Sequence, residues 1–255
     1  MTTTKSRLRT EAAAPAGASP GAGAHAAPVR QRASKLSSAD REQMIVRNAV
    51  RYFARHGFQG STRDLAKELG ITQSLLYRYF PSKQALFDRV YAEVYLSRWN
   101  PLWEEQIQDR SRPLQERLIA YYQDYAKSML QQDWVRLLIF AGLEHAGINE
   151  RLFRLLRVKI YEPVVRECYA EFGHPDAPFD MDEETEMVWA LHASIFYLGM
   201  RRWVYVTRMP RDLEATIRQL VESFLHGMRA RVQAQADERA GASRPPEPKR
   251  TSAPR

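Results

Sequence analysis

One cysteine, Cys168, stands in 255 residues. A lone thiol excludes an intramolecular disulfide and a cysteine-based zinc site, and it fits a structural role in a reducing compartment. Long hydrophobic runs are also missing. The longest candidate, MVWALHASIFYLGM at 187–200, falls short of the roughly 18 apolar residues that suggest a membrane span, and it contains His192. The N-terminal stretch is rich in Ala, Pro and Gly but has no apolar run of the signal-peptide kind. We therefore expect a cytoplasmic protein with no membrane partner. Catalytic signatures are absent as well: there is no HExxH, no GxSxG and no phosphate-cradling glycine loop, and the six histidines never fall at metal-ligand spacing. The acidic pairs Glu104-Glu105 and Glu183-Glu184 fall at expected helix ends, so no enzyme, cofactor or metal is expected.

What the chain does have is unevenly placed positive charge. Residues 1–37 carry six basic and one acidic side chain, 38–97 carry nine and six, 98–235 carry eighteen and twenty, and 236–255 carry five and three. The excess therefore sits in the N-terminal end and the tails, an asymmetry suited to holding a polyanion by one end of the molecule. Residues 1–37 and 236–255 also hold seven of the fourteen prolines and almost no large apolar residues. Neither can offset its ordering entropy by burial, so we expect a disordered basic arm and a disordered tail. Arg7, Arg9, Arg30, Arg32 and Lys35 of the arm could track phosphates.

Between the tails, apolar residues recur at three- and four-residue spacing and strand-type alternation is scarce, which predicts an all-α fold. The first helix should begin near Ser38, with Ser37 or Ser38 as cap, bury Met44, Ile45, Ala49, Tyr52 and Phe53, and end at Gly57. A second, capped by Ser61 or Thr62, buries Leu65, Ala66 and Leu69 and stops at Gly70. Thr72 caps a third, Gln73 to Tyr79, which Pro81 breaks, and Ser82 caps a fourth that runs toward Trp99. Two short helices with a glycine-containing turn, the second opening on small polar residues, make a helix-turn-helix. Gln73 and Ser74 lie on the turn that enters a major groove, where amide and hydroxyl groups bond base edges. Leu76 and Phe80 point back toward Leu65 and Leu69. Tyr77, Arg78, Tyr79 and Lys83 offer donors to phosphates, Lys83 from a helix N-terminus that already favours an anion, and Thr62, Arg63 and Thr72 complete the candidate contact set.

Ala49, Phe53, Gly57, Leu65-Ala66, Gly70-Ile71-Thr72, Leu76-Tyr77, Phe80 and Ser82-Lys83 together resemble the DNA-binding domain of the TetR family of bacterial transcriptional regulators. The resemblance covers residues 38–95, about a quarter of the chain, and the LYRYFPSK ending is its most specific part. The segment between Gly60 and Leu65 is one residue shorter than the family pattern, which leaves the start of the second helix open. The resemblance implies an N-terminal three-helix DNA-binding domain at 38–83 and a helical ligand-binding and dimerisation domain at 84–235.

In that second domain, helices are expected near 101–109, 113–131, 133–147, 149–172, 182–208 and 211–234, with Pro163 kinking one of them. By resemblance, aromatic residues here line a cavity for a small apolar or aromatic effector. The candidates are Trp99, Trp103, Tyr122, Phe140, His145, Trp189 and Phe196, among further aromatics that include Tyr121, Tyr125 and Trp134, with His192 a second possible hydrogen-bonding histidine. Leu213, Ile217, Leu220, Val221, Phe224, Leu225 and Met228 form a stripe too wide for one neighbour, which fits a homodimer interface of the family's four-helix kind. The expectation is thus a ligand-responsive repressor that binds a palindromic double-stranded operator as a dimer. An architectural DNA-binding protein, or an activator with a protein partner, would share the same N-terminal domain.

Overall fold

The structure, a computed structural model, describes residues 37–144 and 148–242, and among these it is all helix and connection with no strand. The expectations for residues 1–36 and 243–255, and for His145, lie outside the described residues.

The N-terminal helices follow their caps. α1, Ser38–His56, starts where Ser37 Oγ accepts from the Asp40 amide (3.0 Å). It ends at Gly57, whose φ of +74° suits glycine, and a Cβ there would fall on Glu144 and Phe140. α2, Thr62–Glu68, is capped by Ser61, which settles the open start. It closes in a Schellman motif: Ile71 N donates to Ala66 O (3.0 Å) and Gly70 N to Lys67 O (3.1 Å), with Gly70 at φ +64°. α3, Gln73–Tyr79, and α4, Lys83–Tyr91, are capped by Thr72 and Ser82. Their shared core is Leu65, Leu76 and Phe80 with an aromatic triad, Phe53, Phe58 and Phe87, whose ring centres lie 4.9–5.3 Å apart. Because Phe87 belongs to α4, this core does not close at residue 83.

α4 leads into a π-helical turn, Ala92–Leu96, in which the Ser97 amide reaches back five residues to Ala92 O (3.0 Å). The helix ends there rather than at Trp99. α5, Leu102–Gln108, α6, Leu114–Met129, and α7, Gln132–Leu143, follow. The kink expected at Pro163 takes another form. α8, Ile148–Leu156, passes through a second π turn, Arg157–Tyr161, into α9, Glu162–Glu171. Pro163 lacks the amide that would bond Lys159 O, and its ring crowds that carbonyl; widening the turn removes the conflict without breaking the helix.

α10, Met181–Trp203, stops five residues before its expected end. The indole of Trp203 donates to Leu130 O (2.8 Å), and Val206 turns the chain with a φ of +53°. α11, Leu213–Ala242, runs past residue 235, where we expected a disordered tail to begin. No proline interrupts it before Pro245, Gln233 bonds Asp237 one turn on (2.9 Å), and Arg239 holds the Pro178 carbonyl. Two ion pairs, each on a buried carboxylate, tie the bundle together. Arg117 meets Glu167 (2.9 Å) between α6 and α9, and Arg231 meets Glu184 (2.8 Å) between α11 and α10. Burial also pushes the Cys168 thiol pKa up, which keeps it protonated.

Candidate nucleic-acid interface

The first turn of α3 stands open to solvent. Gln73 and Ser74 are exposed, while Leu76 and Phe80 one turn on are buried. Small polar groups therefore point outward where the helix begins, and the apolar residues that hold it down lie behind. Arg63 on α2 and Arg78 in the last turn of α3 are exposed, and Tyr77 is partly exposed. Lys83 stands half-buried at the first position of α4, a helix N-terminus, with its ammonium over the Phe87 ring, 5.3 Å from the ring centre.

Other candidate residues have their side chains engaged within the protein. Thr62 is buried, and its Oγ1 accepts from Gln73 Nε2 (3.1 Å) and lies 3.0 Å from the Tyr77 hydroxyl. It locks α2 to α3 and aims Gln73, rather than offering its own hydroxyl to a partner. Thr72 is the α3 cap: its Oγ1 accepts from Leu75 N (3.2 Å) and lies 3.0 Å from Ser74 Oγ. Tyr79 is half-buried against the core.

α1 lies along α7, and Arg136 Nε donates to the Ala54 carbonyl (2.6 Å). Just beyond the first π turn, Arg98 makes a two-pronged pair with Asp133 (2.7 and 3.1 Å). Arg89 bridges Gln43 of α1 (2.8 Å) and Glu93 (3.1 Å). The helices that carry α3 are thus fastened to the C-terminal bundle at several points.

Inside the bundle, Trp103 and Tyr122 are fully buried, and Trp103 donates its indole N–H to Asp124 (2.6 Å). Trp99 is half-buried against Trp103, Phe196 packs on Trp134, and Trp189 fits between Phe153 and Tyr161. Phe140 sits apart, under Arg136 at the α1–α7 seam. His192 is central: its ring faces Tyr122, Tyr125 and Tyr161, and burial lowers its pKa from 6.5 to about 3, so it is neutral. Tyr95 and Tyr161, absent from the sequence-based candidates, join this group. A sequence pattern marks such tyrosines as helix-facing aromatics, but it does not reveal whether the hydroxyl reaches water.

The α11 stripe divides. Ile217, Val221, Phe224 and Met228 are buried within the chain, and α11 packs on α6, α9 and α10, while Leu213, Leu220 and Leu225 remain partly exposed. The width of the stripe therefore reflects several neighbours in the same subunit. α10 instead presents Ala190, Ala193, Ser194 and Tyr197 to solvent.

A capped two-helix unit with an outward polar first turn, carried on an all-helical bundle, defines a helix-turn-helix DNA-binding regulator. Residues 45–90 match the family model for bacterial regulatory proteins, tetR family. Among solved structures, a transcriptional regulator from Streptomyces coelicolor of that family is 17% identical, with 82% of this chain and 92% of that one covered and a TM-score of 0.51. AmtR from Mycobacterium smegmatis is 20% identical, covering 85% and 99%, with a TM-score of 0.50. A Pseudomonas aeruginosa PAO1 protein described as a transcriptional regulator is 21% identical, covering 79% and 98%, with a TM-score of 0.56. No curated protein matches. The family model thus covers the helix-turn-helix unit, and the solved structures share the all-helical fold. Among the described residues, no helix is long and apolar enough to cross a membrane.

Proposed function

We propose that this regulator is a cytoplasmic, effector-responsive repressor that binds a palindromic operator as a homodimer. The observation that carries the reading is the exposed first turn of α3, where Gln73 and Ser74 are open to solvent, together with the exposed Arg63 and Arg78 on α2 and α3. Gln73 and Ser74 read bases, Lys83 and Tyr77 hold phosphates, and Thr62 and Thr72 position the readers. Dimerisation uses the solvent-facing side of α10, around Ala193 and Tyr197, packed on the same face of a second copy.

The route from effector to DNA is short. Tyr91 and Tyr95 lie on α4 and its π turn with ring centres 5.2 Å apart, and Tyr95 is 5.7 Å from Trp134 in the bundle. A ligand that moves Tyr95 tilts α4 and changes the separation of the two α3 helices, which must stay near one DNA turn, about 34–36 Å. Selection from random duplexes with the full chain tests this. We expect an inverted repeat with half-sites about one helical turn apart, occupied by two chains. No enriched sequence, or a single half-site bound by one chain, refutes it.

A further inference from the structure

The interior of the C-terminal bundle holds an unusual concentration of polar atoms without partners. The hydroxyls of Tyr121, Tyr122, Tyr125 and Tyr161 are all buried and none makes a hydrogen bond. Native cores rarely leave buried polar groups unpaired, because water is lost and nothing replaces it. Phenylalanine would pack the same rings at no such cost, so four tyrosines here call for a reason.

The rings that carry them cluster. The His192 ring lies 4.7 Å from that of Tyr125, 5.4 Å from Tyr161 and 6.1 Å from Tyr122, and its Nδ1 is also unpaired. Trp134 extends the group toward the DNA-binding end: its Nε1 is unpaired, and its ring stands between Tyr125 (6.1 Å) and Tyr95 (5.7 Å), whose hydroxyl is unpaired too. Burial raises the phenol pKa values and lowers that of the imidazole, so every member is neutral. The buried ions Arg117, Glu167 and Glu184 each pair with an opposite charge.

We propose that these phenol, indole and imidazole groups form a recognition site for an uncharged small molecule with a flat apolar body and several hydroxyl or carbonyl oxygens. The aromatic faces take the body, and the phenol and indole N–H and O–H groups donate to its oxygens. An ionised ligand finds no countercharge there, and a pure hydrocarbon leaves the orphans unsatisfied. As the identity of the effector, this rests on the effector-responsive reading above, and it places the ligand against Tyr95, on the π turn that continues α4.

The test is calorimetry on the full chain without DNA, using 2,7-dihydroxynaphthalene, naphthalene and 2-naphthoate, which share one two-ring body. We expect the diol to bind at least about tenfold tighter than either of the others, because a site built for oxygens rejects an analogue lacking them. Equal binding of naphthalene, tighter binding of naphthoate, or no binding of any probe overturns the site. The double variant Tyr122→Phe/Tyr125→Phe should lose most of the diol's advantage while keeping its affinity for naphthalene and a wild-type or higher melting temperature. Undiminished diol binding in that variant means the hydroxyls serve ordered water alone, which also overturns it. Because the calorimetry contains no DNA, the outcomes separate: selective diol binding upholds the site, and a separate titration of DNA with and without the diol that shows equal affinities then refutes the effector role alone, whereas loss of the preference refutes the site whatever the DNA titration shows.

Discussion

His192 should make this protein acid-sensitive well above the carboxylate range. The imidazole is buried among Tyr122, Tyr125 and Tyr161, and desolvation lowers its pKa from 6.5 to about 3. Below pH 6.5 the unfolded chain gains a proton at this position that the folded chain refuses until about pH 3. The stabilisation is therefore complete above pH 6.5 and is lost as the pH falls, at ~1.4 kcal/mol per unit inside that window. Between pH 8 and pH 5 the loss is about 2 kcal/mol, a large share of a typical domain's ~5–15 kcal/mol. His192→Leu removes the ionisation with little change in volume and adds only a pH-independent packing difference. Urea unfolding of both proteins at pH 8, 7, 6 and 5, at one protein concentration, gives the comparison. The wild type should lose about 2 kcal/mol relative to the variant across that range. Parallel curves would show that the imidazole protonates in the folded protein as readily as in the unfolded one, and that the interior is wet.

Lys83→Ala should weaken binding to operator and random DNA by similar factors and lower the salt-dependence slope by about one; a loss confined to the operator contradicts a phosphate role. Thr62→Val removes the acceptor for Gln73 and the neighbour of the Tyr77 hydroxyl, and should cost ~1 kcal/mol in thermal unfolding. An unchanged melting temperature would deny the Thr62 link a stabilising role. Phe224→Glu puts a charge into the chain's own core and should unfold it, whereas Ala193→Glu on the outer face of α10 should give folded monomers by light scattering; a dimer of the Ala193 variant places the interface elsewhere.

The DNA-binding unit was the most legible part of the sequence, because its boundaries are local chemistry. Ser37, Thr72 and Ser82 cap helices through hydroxyls that reach amides three residues on, and Gly57 and Gly70 sit at positive φ where other residues strain. Side-chain direction was less legible. Thr62 and Ser74 are both small hydroxyl residues near a helix start, yet one is buried between helices and the other exposed, a difference set by how α2 meets α3. The α11 stripe showed that a wide apolar face needs several neighbours, but not whether they belong to the same chain. Pro163 signalled a disturbed helix, and only the packing of α9 decides that the helix widens into a π turn. The orphaned hydroxyls had no sequence signature, since Tyr95 and Tyr161 differ from phenylalanine by one atom whose surroundings the pattern does not contain.

Gln73 provides the most direct measurement of whether α3 reads DNA. Its side chain sits on the exposed first turn and is held toward the α2 side by the bond to Thr62 (3.1 Å). Selection from random duplexes should be run in parallel with the wild type and Gln73→Ala, together with affinities for the winning site and for unrelated DNA. We predict that the variant loses its preference at one position in each half-site, binds the wild-type site ~1–3 kcal/mol more weakly, and keeps its affinity for unrelated DNA. An identical selection profile for the two proteins would contradict base reading by the first turn of α3.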